Sequence, residues 1–273
     1  MEKKSVGLFP LLRKGALFGI ANIIPGVSGG TIAVVTGVYD NFINAVGHPA
    51  KEWRFLLLYF IGAAIGILGG TFTIKLLFEY WPGPTILCFM GFIAGSLPVL
   101  WKTSKIFTKP KAGWIFAIIL AMVSIVLLEF FVHPSTAEAV TSLTTFTGIR
   151  VFIAGMLAAA AMVVPGISGA FILLLLGMYT TAVNAVTSLN FPLLICLGAG
   201  TALGVVVTAK LIGYFLEHFH ETTYAVIIGL VCGSLITLWP GIPDTLLLGI
   251  ISIITFAAGF AAAFFLGTLN NKQ

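Results

Sequence analysis

Long apolar blocks separated by short polar stretches fill most of this chain. They cover residues 55–78, 85–101 and 112–132, then 191–216, 224–239 and 245–269. A bilayer core of roughly 30 Å takes about 20 helical residues at 1.5 Å each, so each block predicts a transmembrane helix. Two further stretches, 15–46 and 150–186, are apolar but broken. Gly15 to Ile24 rise only about 15 Å as a helix, half a membrane. They run into Pro25-Gly-Val-Ser-Gly-Gly30; Pro165-Gly-Ile-Ser-Gly-Ala170 interrupts the second stretch in the same way. Proline lacks an N–H and glycine accepts unusual dihedrals, so both breaks end a helix. Asp40 and Asn41 interrupt the arm after the first break. Each broken stretch predicts a re-entrant helical hairpin, which is tolerated at depth only where protein or a water-filled cavity covers its polar backbone.

The two hairpins head a duplicated unit. At an offset of 140, Gly15, Pro25, Gly26, Ser28, Gly29, Gly37, Tyr39 and Asn44 meet Gly155, Pro165, Gly166, Ser168, Gly169, Gly177, Tyr179 and Asn184. After a two-residue slip, Gly62, Gly66, Glu79, Gly91, Gly95, Ser96 and Trp101 meet Gly200, Gly204, Glu217, Gly229, Gly233, Ser234 and Trp239. The units run over 10–132 and 150–269, each with one hairpin and three crossings. An odd number of crossings turns the second unit over in the membrane. The expected fold is therefore an all-α polytopic membrane protein, one membrane domain of two inverted-topology repeats.

Composition agrees: 59% of residues are hydrophobic, 8% are charged, and the mean hydropathy is +1.11. The net charge of +5 arises from basic loops rather than from a nucleic-acid surface. Of the 14 lysines and arginines, a cytoplasmic N-terminus puts eleven inside: Lys3, Lys4, Arg13, Lys14, Lys51, Arg54, Lys102, Lys105, Lys109, Lys111 and Lys272. Arg150 alone falls outside, while Lys75 and Lys210 lie within spans. This bias predicts cytoplasmic N- and C-termini. Cys88, Cys196 and Cys232 lie in apolar segments without disulfide or metal-ligand spacing. No cofactor, metal or nucleotide motif is expected; the expected partners are the membrane and, as an open option, a second copy of the chain.

The twin motifs are the candidate site. After each Pro-Gly break a helix restarts near Ser28, Gly29, Gly30 and Thr31, or near Ser168, Gly169 and Ala170. Free N–H groups, a helix dipole and a hydroxyl there suit an anion such as phosphate. Broken helices in inverted repeats also build many transporter sites at the bilayer midplane. The bland alternative is a pair of kinks that allow close packing, with the serines bonded locally. Lys75 and Lys210 lie on equivalent helices near opposite faces; they either meet a crossing anion or snorkel to the interface. Asp40, Glu79 and Glu217 are either solvated or proton-coupling acids. Glu79 and Glu217 align in the repeat, whereas Thr180 matches Asp40.

The stretch from Gly19 to Ala33, its echo at 161–170 and the chain length resemble the bacterial polyprenyl-phosphate transporter family. That resemblance implies a flippase returning undecaprenyl phosphate from the outer to the inner leaflet of the bacterial plasma membrane, so that the lipid carrier of cell-wall synthesis is reused. Absence of a nucleotide motif makes an ion gradient the expected driving force. Undecaprenyl-pyrophosphate phosphatases share re-entrant hairpins and a Pro-Gly-x-Ser-Arg-Ser motif, but Gly29 and Gly169 stand where the arginine would be. No acid lies between Gly15 and Pro25 to activate a nucleophile, so an enzyme is not expected. A transporter of a small soluble anion is the third reading; it would need no lateral opening to lipid.

Overall fold

The computed structural model describes residues 7–22, 29–104, 111–131 and 139–270. The first half contains α1 (Leu8–Asn22), α2 (Gly29–Val35), α3 (Tyr39–Gly47), α4 (Trp53–Tyr80), α5 (Pro82–Ser104) and α6 (Ala112–Phe131). The second contains α7 (Thr145–Val163), α8 (Gly169–Leu175), α9 (Tyr179–Thr187), α10 (Phe191–His218), α11 (His220–Thr237) and α12 (Leu246–Asn270). The matched members α2 and α8, α3 and α9, and α4 and α10 have identical lengths of 7, 9 and 28 residues. The structure is all-helical among the described residues. Seven helices, α4 to α7 and α10 to α12, are long and apolar enough to cross a membrane.

Three features depart from the hydropathy pattern. Helix α1 starts at Leu8 rather than Gly15 and runs through Arg13 and Lys14. Helix α7 starts at Thr145 rather than Arg150, because Thr144 and Thr147 form a reciprocal capping box that fixes the start one turn earlier. Its 19 residues are long enough to cross, unlike the 15 of α1. Each hairpin also has a second break beyond its Pro-Gly motif. Gly37 and Gly177 both sit at φ 65, a left-handed conformation that ends α2 and α8 as glycine allows. Beyond Gly177, α9 leaves α8 at an angle of 112°.

Small residues set the helix pairing. A methyl at Gly62 or Gly66 on α4 would strike the carbonyl oxygens of Leu12 or Ala16 on α1. One at Gly200 or Gly204 on α10 would strike those of Phe152 and Met156 on α7. Contacts advance in the same direction along both members, so α1 runs parallel to α4 and α7 parallel to α10. Backbones this close gain dispersion contacts where lipid offers no hydrophobic drive. The remaining long helices are exchanged between halves: Gly91 and Gly95 of α5 lie on Phe256 and Phe260 of α12, and Gly229 and Gly233 of α11 on Ile118 and Met122 of α6. Matching hydroxyls brace the turns after α4 and α10, Thr85 donating to the Leu77 carbonyl at 3.2 Å and Thr223 to that of Phe215 at 3.1 Å. Large apolar side chains such as Phe72, Phe116, Ile195 and Leu246 point outward around the frame. An aqueous surface would not carry such a band; a multi-pass membrane protein does.

Candidate functional site

Inside this frame the first hairpin reaches the second motif. Gly30, at the start of α2, stands against the Val163 carbonyl and the Pro165 nitrogen; a methyl there would lie 2.7 Å from the carbonyl oxygen. Beside it, the Gly166 N–H donates to Thr31 Oγ1 at 2.9 Å, across 135 residues of chain. The Tyr39 hydroxyl donates to the Val163 carbonyl oxygen at 3.4 Å. Breaking a helix at Val163-Val-Pro-Gly166 frees backbone donors and acceptors that lipid cannot satisfy. Thr31 and Tyr39 therefore supply from the first half what the second motif lacks. Gly166 itself sits at φ 87 with its Cα face against the Leu230 carbonyl, a position only glycine fills without strain.

A second polar link joins the halves. Tyr224 of α11 donates its hydroxyl to Asp40 of α3, at 3.2 Å to Oδ1 and 3.4 Å to Oδ2, and the His220 ring lies 4.7 Å from the Tyr224 ring. Asp40 is thus held within the hairpin region rather than at a solvated loop.

The two hairpins are not equivalent in this structure. All seven residues of α2 are buried, packed on α5, α7 and α12, whereas α8 has no buried residue and leans mainly on α7 and α9. Similarly α3 packs on α10, while α9 makes no comparable contact with α4. Sequence accounts for part of this: Phe171 occupies the position matching Thr31, so the reciprocal bond cannot form.

Of the residues singled out in the sequence, Gly30 and Thr31 meet the second motif directly. Gly29 faces its own half, against the Phe18 ring and Asn22, and Gly169 faces the Ala158 carbonyl. Ser168 is half-buried and its hydroxyl does not cap α8; Ala170 is exposed. Ser28 lies outside the described residues, as do Lys3, Lys4, Lys105, Lys109 and Lys272 of the charge pattern. Lys75, Glu79 and Glu217 are exposed on α4 and α10. Lys210 is also exposed, its stem passing Gly47 at the end of α3. Among the described residues no three His, Cys, Asp or Glu side chains converge as a metal site would require.

Residues 18–248 match the family model described as VCA0040-like, undecaprenyl phosphate translocase-like. The chain belongs to this family. The polyprenyl-phosphate transporter of Staphylococcus aureus is 35% identical over 95% of this chain and 96% of its own length. That of Vibrio cholerae is 30% identical over 88% of this chain and 80% of its own. No solved structure matches. The resemblance carried by the twin motifs is therefore borne out for this member of the translocase-like family, and the match spans both hairpins and the frame. Sequence reasoning missed Tyr39, Tyr224 and His220. Tyr39 carried a faint signal, as a repeat-matched polar aromatic next to the unmatched Asp40; Tyr224 matches Ile86 in the first half, and nothing local marks it.

Proposed function

We propose that this protein carries polyprenyl phosphate across the bacterial plasma membrane, returning it from the outer to the inner leaflet. The observation that carries this reading is the meeting of two broken hairpins at Thr31 and Gly166 inside a frame of small-residue helix pairs. Parallel α1 and α4, and parallel α7 and α10, support hairpins that return the chain to the side it came from, whether their arms turn back within the membrane or cross it and come back. The parallel course of α5 with α12, and of α6 with α11, supports the inverted-repeat arrangement, and the bias of basic residues supports cytoplasmic termini. In this reading Ser28, Gly29, Gly30, Thr31, Ser168, Gly169 and Ala170 surround the path of the phosphate. Lys75 and Lys210 attract the headgroup at either end. The half-buried α8 and the buried α2 are read as a state open on the second hairpin's side; the opposite state exposes α2. An ion gradient drives the cycle, with Asp40, Glu79 and Glu217 as the acids that exchange protons.

The protein is a transporter and not a phosphatase, a reading supported by the glycines in place of an arginine and by the transporter names of both relatives. Purified protein should release no phosphate from undecaprenyl pyrophosphate; release that disappears in Ser168→Ala would establish an enzyme instead. Transport is tested by the exposure of undecaprenyl phosphate in the two leaflets of reconstituted vesicles, with Ser168→Ala expected to slow exchange about tenfold. Free inorganic phosphate entering the vesicles at a rate that exceeds lipid exchange would favour the soluble-anion reading.

A further inference from the structure

A groove of 490 Å³ lies between α10 and α11 and ends on the second motif. Its floor is Pro165, Tyr39, Ile227 and Leu230, and its mouth is formed by Phe215, Phe219 and Val226. The floor is closed, with Tyr39 3% and Ile227 4% exposed; the mouth is open, with Phe219 53% and Val226 38% exposed. The walls offer no charge to a phosphate. The Tyr39 hydroxyl is spent on the Val163 carbonyl, the Thr223 hydroxyl on the Phe215 and Phe219 carbonyls, and no charged side chain lines the space.

We infer that this groove holds the isoprenoid chain of the transported lipid beside its phosphate path, an inference that rests on the transport reading above. Continuity decides the occupant. The groove's inner end is the same Val164-Pro165 segment whose next residue, Gly166, bonds Thr31, so a lipid with its phosphate at the hairpin tips can lay its first isoprene units directly along α10 and α11. A bulk phospholipid keeps its headgroup at the membrane face, away from this end. Gly166 is then doubly constrained: its backbone packs on Leu230, which is itself part of the groove floor. Selection by the groove is for chain length and shape, since an apolar wall discriminates only through the area it covers.

Two experiments on the full-length protein in vesicles test this. In the first, a polyprenyl phosphate carrying a benzophenone on its chain is irradiated with the unmodified protein. Cross-links are expected within residues 212–230 or at Tyr39, Val164 and Pro165, competed by undecaprenyl phosphate and not by phosphatidylglycerol. Cross-links elsewhere, or equal competition by phosphatidylglycerol, would overturn the inference. In the second, leaflet exchange of long-chain undecaprenyl phosphate is compared with that of short-chain farnesyl phosphate. Val226→Trp, which fills the groove from its lipid-exposed mouth, should slow the long-chain substrate by about tenfold or more while leaving the short one within about twofold. Ile236→Trp, on an exposed part of the same helix, should change neither. Equal effects of Val226→Trp on both lipids, or none on either, would contradict a chain-binding groove. A parent protein that exchanges neither lipid would instead remove the transport reading, and the cross-linking pattern separates that failure from a failure of the groove.

Discussion

Thr31 shows how much of the site one residue carries. It is 1% exposed, and its hydroxyl oxygen accepts from Gly166 where a broken helix has freed an N–H. Thr31→Val keeps the shape and deletes the acceptor, leaving a buried donor unpaired at a cost of about 1–3 kcal/mol. Its midpoint of thermal unfolding in detergent should fall, and Thr31→Ser should restore it; a Val variant as stable as the parent would show that the bond contributes nothing. From the sequence, Thr31 was legible as a candidate anion-site residue where a helix restarts. Its partner could not be seen, because a contact across 135 residues leaves no local pattern. Asp40 is a similar case: its lack of an acidic counterpart was legible, its bond to Tyr224 was not. Tyr224→Phe removes that donor from Asp40, so exchange driven by a proton gradient should become less sensitive to the gradient; unchanged sensitivity would take Asp40 out of the coupling scheme.

Among elements, the long helices were legible because an apolar block of that length has one stable form in lipid. The breaks at Gly37 and Gly177 were not, since a single glycine in an apolar run changes hydropathy little while its left-handed φ ends the helix. Close pairing was written in the glycines. Gly66→Leu or Gly204→Leu would drive a side chain into the backbone of α1 or α7 and should destabilise by about 1–3 kcal/mol or more, whereas Gly69→Ala, which meets nothing within 4 Å, should be neutral or mildly stabilising. Thermal unfolding of the three variants checks this, and equal losses would refute the helix pairing. The unequal hairpins make their own prediction. With Cys88, Cys196 and Cys232 replaced, Ala170→Cys on α8 should react quickly with a membrane-impermeant maleimide and Ala33→Cys on α2 should resist it. Substrate should narrow the difference as the protein cycles; equal rates from the start would contradict a state open on one side.

For the whole molecule, three independent features converge on a path for an amphiphile. The outer band is apolar, the centre is a contact between two broken hairpins, and an apolar groove leads from that contact to the surface of the helix bundle. The matching helix lengths could be anticipated from the sequence because glycines and motif residues recur at fixed offsets. The difference between the two hairpins could not, because it depends on which contacts each makes in one state. The central claim is that the protein itself moves polyprenyl phosphate between leaflets. Its most direct test is the rate at which undecaprenyl phosphate changes leaflet in vesicles containing the purified protein, against protein-free vesicles of the same composition, with and without an imposed proton gradient. Exchange well above the protein-free rate, accelerated by the gradient, is the predicted result. Exchange no faster than in protein-free vesicles under either condition would contradict the account.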